Sequence, residues 1–136
     1  MLVQPYLDFN GKCEEAIEFY KKAIGAEVES LMRFKESPDP GSCAPGSEEK
    51  VMHACLRVGD SQIMASDGWC KGKTNFEGIN LTITADDVAQ AKRQFEALAT
   101  GGQVLMPLSE TFFAKIFGMT TDRFGVSWMV IVKKPM

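Results

Sequence analysis

Hydrophobic positions change their spacing along the chain from every second residue to every third or fourth, and back. Residues 3–9 alternate as in a strand, whereas the following apolar positions recur at helical spacing on one face: Cys13, Ala16, Ile17, Tyr20 and Ile24. Asn10 precedes this run and is predicted to cap the helix, and Gly25 is predicted to end it. Residues 27–34 then alternate again, which predicts a second strand.

The remainder of the first half predicts a long loop and a hairpin. Residues 35–49 contain three prolines, two glycines and four acidic residues without an apolar period, which predicts a loop that is either a lid or a disordered excursion. Residues 50–58 and 61–66 read as strands. Gly59 and Asp60 between them predict a tight two-residue turn.

The second half repeats this order of elements. Residues 79–84 predict a strand, and Asp86 is predicted to cap a helix whose apolar face is Val88, Ala91, Phe95 and Leu98. Residues 103–106 predict a short strand broken by Pro107, and residues 115–121 and 126–132 predict a closing hairpin. The chain is therefore predicted to be one α+β domain, residues 1–136, made of two βαβββ modules (1–68 and 75–136).

Composition and charge exclude several classes of function. The hydrophobic share is 45%, the charged share is 24% and the net charge is −3, as in an ordinary globular domain. The chain has no cluster of basic residues with interleaved aromatics, so nucleic-acid binding is not predicted. It also has no apolar run long enough to cross a membrane. Four cysteines without CxxC spacing favour reduced thiols, so we expect a cytoplasmic protein.

Three segments resemble the glyoxalase, bleomycin-resistance and extradiol-dioxygenase superfamily, also called vicinal-oxygen-chelate proteins. They are PYLDFNGKCEEAIEFYKKAIG, KVMHACLRVGDSQIMASD and TDRFGVSWMVIV. Within that superfamily the chain looks like the PhnB-like branch, which carries a demethylubiquinone methyltransferase label. The resemblance implies a curved mixed sheet around a concave cavity, helices on the outside, and a homodimer.

The resemblance also indicates where a metal would be bound. Metal-using members of the superfamily take one ligand from the first and one from the last strand of each module. The matching positions here are Gln4, Met64, Asn80 and Met129. Neutral amides and thioethers are poor ligands for a catalytic divalent ion, so no metal and no other cofactor is predicted.

The Gly59–Asp60 turn fixes which strand positions share a face. It pairs Met64 with Cys55, so that period-two alternation places one polar set together: His53, Cys55, Arg57, Gln62, Met64 and Ser66. The opposite set is apolar: Met52, Ala54, Leu56, Val58, Ile63 and Ala65. With the resemblance, the polar face lines the cavity, and Tyr6 and Asp8 lie beside Gln4.

We predict that this mixed wall contacts a small organic ligand. The predicted ligand contacts are Gln4, Tyr6, Cys55, Arg57, Met64, Trp69, Asn80 and Met129. Trp69 and the pair Phe112–Phe113 are placed to cover a planar ligand. Because an inward face can also be buried by a partner, a packed interior or a dimer without ligand remains an alternative.

His53 is the only histidine and the predicted catalytic residue, if there is catalysis. A lone strand histidine can equally be a hydrogen-bonded structural residue. Cys55 is placed to act as a nucleophile with His53, or as a soft-metal ligand with Met64, but a small buried residue is the simpler interpretation.

Four functions follow from these residues. A metal-independent small-molecule site is the first hypothesis. A lyase or isomerase that uses His53 as a base is the second, and whether the chain is an enzyme stays open. Methyl transfer is disfavoured because no Gly-rich loop follows a strand. The last is a dimeric module without any ligand.

Overall fold

A computed structural model describes residues 1–37, 46–68 and 74–135. The chain divides into two compact units, Met1–Thr74 and Asn75–Met136. Among its described residues each unit has one α-helix and a four-stranded mixed sheet, in the order strand, α-helix and three strands, so the α+β class and the two βαβββ modules are confirmed. That residues 1–136 form a single domain, with modules bounded at 68 and 75, stays a prediction.

The first unit has a sheet in the order β1-β4-β3-β2, in which β1 runs parallel to β4 and the other pairs are antiparallel. Its elements are β1 (Tyr6–Asp8), α1 (Cys13–Ile24), β2 (Glu27–Arg33), a short 3₁₀ helix (Phe34–Glu36), β3 (Val51–Val58) and β4 (Ser61–Ser66). The 3₁₀ helix occupies the start of the predicted 35–49 loop. Residues 38–45 of that loop lie outside the described residues.

The second unit has the same topology, in the order β5-β8-β7-β6. Its elements are β5 (Asn80–Thr84), α2 (Val88–Ala99), β6 (Gln103–Ser109), β7 (Ala114–Thr121) and β8 (Ser127–Lys133). The prediction that Pro107 breaks β6 was wrong, because the strand continues to Ser109. Proline is tolerated there since β6 is an edge strand whose pairing with β7 is irregular on both sides of Met106.

Amphipathic patterning accounts for both cores. All five predicted apolar positions of α1 are buried, as are Ala54, Leu56, Ile63 and Ala65 of the β3–β4 hairpin. In the second unit Ala91, Phe95 and Leu98 of α2 are buried, together with Trp128, Val130 and Val132 of β8. Val88 and Met52 are only partly buried.

The start of α1 differs from the prediction. Asn10 lies in a turn at φ +46°, two residues before the helix N-cap position, which is Lys12, and the Lys12 side chain makes no cap hydrogen bond. The buried carboxylate of Asp67 caps the start of the helix, because its Oδ1 accepts the backbone N–H groups of Gly11 (2.7 Å) and Cys13 (2.8 Å). Its Oδ2 accepts the Val51 N–H at 2.8 Å, which ties the helix to the start of β3.

The cap of α2 lies one residue later than predicted. Asp87, not Asp86, is the N-cap residue, and its Oδ1 accepts the Gln90 N–H at 2.7 Å. The Gln90 side chain accepts the Asp86 N–H at 2.7 Å in return. This reciprocal pair satisfies two donors at the helix start, so Asp86 is held by the cap without supplying it.

Candidate functional site

The open face of the first unit is the side of its sheet opposite the buried residues of β3 and β4. The predicted pairing of Cys55 with Met64 is confirmed, and the structure also pairs Met64 with Tyr6 of β1. Paired positions project to the same side of a sheet, so one row of side chains crosses three strands. His53, Arg57 and Gln62 project to this side as well, and none of them is buried.

Four side chains form a hydrogen-bonded chain on this open face. Gln4 Nε2 donates to Gln62 Oε1 at 2.8 Å, and Gln62 Nε2 donates to Glu29 Oε1 at 2.8 Å. The Cys55 thiol donates to the same Glu29 oxygen at 3.8 Å. The carboxylate of Glu29 is thus held by two neutral donors and retains acceptor capacity towards solvent.

Tyr6 and His53 form a second polar group on the same face. Tyr6 Oη lies 2.9 Å from His53 Nδ1, and the two ring centroids are 5.6 Å apart. Partial burial raises the pKa of the Tyr6 phenol, which therefore stays protonated at neutral pH. The contact fixes the orientation of the His53 ring.

Arg57 is paired within the protein. Its guanidinium forms an ion pair with the Glu27 carboxylate, and this hydrogen bond raises the pKa of Arg57. A ligand that used Arg57 would have to share it with Glu27. The predicted contact by Arg57 stays a prediction.

Cys55 is poorly suited to act as a nucleophile. Desolvation and then the negative charge of Glu29 raise the pKa of its thiol, so the reactive thiolate is scarce at neutral pH. A proton held on sulfur also disfavours metal coordination. Cys55 is therefore best understood as a hydrogen-bond donor to Glu29.

The open face of the second unit carries neutral side chains: an amide, a hydroxyl and thioethers. Asn80 pairs with Ser127, and Thr82 pairs with Met129, which in turn pairs with Met119. The Thr82 hydroxyl donates to Met129 Sδ at 3.8 Å. Just before β7 the ring of Phe113 contacts that of Phe117, with the ring centroids 5.2 Å apart, and the neighbouring Phe112 is 92% exposed.

The four superfamily ligand positions do not fit a divalent metal. The amide of Gln4 is used by Gln62, and the thioether of Met129 already accepts a hydrogen bond from Thr82. Neither Met64 nor Asn80 carries charge. Within residues 1–37, 46–68 and 74–135, no three His, Cys, Asp or Glu side chains are grouped as metal ligands. The donor set lacks the imidazole and carboxylate groups that such ions require.

A cofactor that is bound at a helix N-terminus does not fit these residues either. At the start of α1 the Cys13 N–H donates to Asp67, and in the first turn of α2 the Gln90 N–H donates to Asp87. The connection from β1 to α1 has a single glycine, Gly11, and the connection from β5 to α2 has none. S-adenosylmethionine sites of the Rossmann kind need a Gly-rich turn at this point.

Sequence reasoning missed Glu29, which contacts two of the predicted residues. Trp69, a predicted ligand contact, lies outside the described residues. The structure brings together the six other predicted residues of the first unit on one face (Gln4, Tyr6, His53, Cys55, Arg57 and Met64). In the second unit Met129 pairs with Thr82, which is two residues after Asn80 on β5.

Comparison with known proteins identifies close relatives of the whole chain. A family described as 3-demethylubiquinone-9 3-methyltransferase matches residues 2–131. Protein YjdN of Escherichia coli K12 is 37% identical, with 98% of this chain and 97% of YjdN covered. Among these 136 residues, no described helix has the length and apolar content needed to cross a bilayer.

Solved structures of similar proteins support the same family assignment. Protein PA1353 of Pseudomonas aeruginosa is 41% identical with a TM-score of 0.87, and 99% of each chain is covered. A PhnB protein of Bacillus cereus, whose description also names the methyltransferase, is 30% identical with a TM-score of 0.81 over 97% of this chain and 99% of its own. A glyoxylase/bleomycin resistance protein/dioxygenase domain from Frankia shares the fold alone, at 14% identity and a TM-score of 0.64 over 98% of each chain.

Proposed function

The chain belongs to the PhnB-like family of the vicinal-oxygen-chelate superfamily, and from this premise we propose that it binds a small organic molecule without a divalent metal. The observation that carries the proposal is the open face of the first unit. Its polar side chains are ordered by hydrogen bonds with one another, yet they stay accessible, while the reverse face is a closed apolar core.

The composition of the open face supports an organic ligand. Hydrogen-bonding groups (Gln4, Gln62 and Glu29) stand beside the Tyr6 and His53 rings and the Met64 thioether. Sites for small molecules combine a few placed polar groups with apolar and aromatic surface in this way. We keep Asn80 and Met129 as proposed contacts on the face of the second unit.

A fragment titration tests this proposal. Benzoate, benzamide, acetophenone and benzylamine are titrated by NMR into the wild-type chain and into the double variant Tyr6→Phe/His53→Leu. We expect at least one probe to bind the wild type and to lose about tenfold or more in affinity in the double variant, since two hydrogen-bonding groups are removed. Lys21→Ala, a change on the exposed side of α1, is the matched control and keeps wild-type affinity.

Two results contradict the proposal. Either no probe binds the wild type, or the best probe binds the double variant and the wild type equally well. The spectra of the double variant show at the same time that it is folded. Loss of binding is thereby separated from loss of structure.

The second candidate function is a metal-independent lyase or isomerase that uses His53. The 2.9 Å contact with Tyr6 favours it, because a catalytic imidazole needs a group that orients its ring, and a ring protonated at Nε2 would act on the substrate as a proton donor rather than as a base. Turnover of a small carbonyl substrate that His53→Ala abolishes, in a chain that stays folded, is the expected result. Turnover that survives this change assigns the reaction elsewhere.

We propose a cytoplasmic homodimer without nucleic-acid partners. The described cysteines, Cys13 and Cys55, are both free thiols, as a reducing compartment favours. The edge strand β6 exposes Val104, Leu105 and Met106 in succession, which is unusual for a surface that stays in water. In a sedimentation experiment we expect the wild type to be a dimer and the variant Leu105→Lys to be a monomer. A monomeric wild type would refute the proposed dimer.

The methyl transfer named in the family's description is not proposed, since both helix starts are capped by carboxylates.

A further inference from the structure

His53 has two ring nitrogens, and the described residues of the first unit engage only one of them. Nδ1 lies 2.9 Å from Tyr6 Oη. Within the described part of the first unit, Nε2 has no hydrogen-bond partner. A neutral imidazole has one protonated nitrogen and one with a lone pair, so the role of Nδ1 decides what Nε2 can offer to a ligand.

Either group could donate in this contact, depending on the tautomer of His53, and the chemistry of the two groups favours the phenol as the donor. Imidazole nitrogen is a good acceptor, whereas the oxygen of a phenol is a weak one because its lone pair is delocalised into the ring. Burial raises the pKa of Tyr6, so the phenol keeps its proton at neutral pH. Ser66, whose Oγ accepts the Gly68 N–H at 2.8 Å, is a further hydrogen-bond partner of the Tyr6 oxygen. The Tyr6 O–H is thereby left to point at His53.

We propose that Tyr6 holds His53 in the tautomer protonated at Nε2, so that the site presents an N–H donor to its ligand. This proposal rests on the proposed function and narrows it. The lone pair that a general base would use is on Nδ1, where Tyr6 already occupies it. The ligand class that matches such a site has an acceptor oxygen, as in a carbonyl, carboxylate or ether, where it meets His53. A carbon acid that needs a base at Nε2 does not match it.

The tautomer can be measured directly because the chain has a single histidine. A long-range ¹H–¹⁵N correlation spectrum of uniformly ¹⁵N-labelled protein, recorded without ligand at a pH where the imidazole is neutral, shows one pair of ring nitrogens. We expect Nε2 at the position of a protonated nitrogen and Nδ1 at that of an unprotonated, hydrogen-bonded one. In Tyr6→Phe the Nδ1 signal shifts, and the ratio of the two tautomers moves towards that of a histidine side chain in water. The same change at the buried Tyr20 leaves the pair unchanged.

The proposal is overturned if the wild type carries the proton on Nδ1, or if Tyr6→Phe leaves both ring nitrogens where they were. Since the spectrum is that of the free protein, failure of every fragment to bind would refute the proposed function without touching this result.

A rescue experiment tests the donor role towards the ligand. The side-chain amide of glutamine places an N–H group close to the position of an imidazole Nε2–H. For the fragment that binds the wild type best, His53→Gln should retain most of the affinity and His53→Leu should lose it. Equal losses in the two variants contradict a donor at Nε2.

Discussion

At the scale of single residues, chemistry is decided by what surrounds each side chain more than by its type. The thiols of Cys13 and Cys55 both have a raised pKa, but their surroundings differ. Cys13 is fully buried next to Asp67, and Cys55 lies on an open face next to Glu29. Neither is an activated nucleophile. His53, two residues before Cys55 in the sequence, is oriented by Tyr6, which is 47 positions away in the chain.

The buried Cys13 thiol predicts a loss of stability at alkaline pH. Its folded-state pKa is raised, chiefly by desolvation, so the native state cannot ionise it where the unfolded chain does. Its contribution is fully present below the unfolded pKa of about 8.5 and falls by about 1.4 kcal/mol per pH unit above it. In urea unfolding between pH 7 and 10, Cys13→Ala should show a shallower decline than the wild type.

Cys55→Ala is the control for this experiment, since its thiol is accessible and its loss should change the slope less. The comparison uses slopes, because Cys13→Ala also leaves a small cavity that lowers stability at every pH. Parallel curves for wild type and Cys13→Ala would disprove the assignment.

At the scale of elements, short connections were predictable and distant partners were not. The two-residue turn at Gly59–Asp60 determined the register of β3 and β4, and the helical period determined the buried side of α1. No tight turn links β2 to β3, and β2 has a bulge between Val28 and Ser30 that leaves Glu29 without a paired residue on β3, so the contact of Glu29 with Cys55 could not be derived. The cap of α1 was missed for the same reason, since Asp67 is 54 residues from Cys13.

The cap by Asp67 predicts a large effect on stability. Asp67→Ala leaves three backbone N–H groups without their acceptor in a buried place, which should cost at least about 3 kcal/mol. Asp67→Asn should cost less, because one acceptor oxygen remains. The exposed turn carboxylate of Asp60 provides the control, and Asp60→Ala should shift the urea midpoint little. Equal midpoints for Asp67→Ala and Asp60→Ala would show that the cap is not needed.

Gly68 and Gly59 form a matched pair that separates backbone strain from steric overlap. Their φ values are +58° and +57°, but a Cβ on Gly68 would overlap the Asp8 carboxylate, whereas one on Gly59 meets open space. Alanine at Gly59 should cost about 1–2 kcal/mol from the left-handed backbone alone. Alanine at Gly68 should cost more. The excess should disappear in the background Asp8→Ala, and an excess that persists there would assign it to another neighbour.

At the scale of the whole molecule, the family topology is retained while the metal chemistry is not supported by the residues at its positions. Gln4, Met64, Asn80 and Met129 are neutral, and two of them are engaged by protein hydrogen bonds. The fold and the family were predictable because element order and motif segments extend over most of the chain. The identity of the ligand was not, because it depends on a few exposed side chains that do not shape the core.

These neutral positions predict weak metal binding. Calorimetric titration of the whole chain with Zn²⁺, Ni²⁺ and Fe²⁺ should show no saturable site of micromolar affinity or better. A stoichiometric site that Gln4→Ala or Met129→Ala abolishes would restore the metal-dependent mechanism of the superfamily.

The most direct measurement is a crystal structure of chain purified without chelators and soaked with the fragment that binds most tightly. We expect density for the fragment against Tyr6, His53, Gln62 and Met64, with an acceptor oxygen within hydrogen-bonding distance of His53 Nε2. Density on another surface, or an ion coordinated by Gln4 and Met64, would contradict a metal-free ligand site on the open face of the first unit.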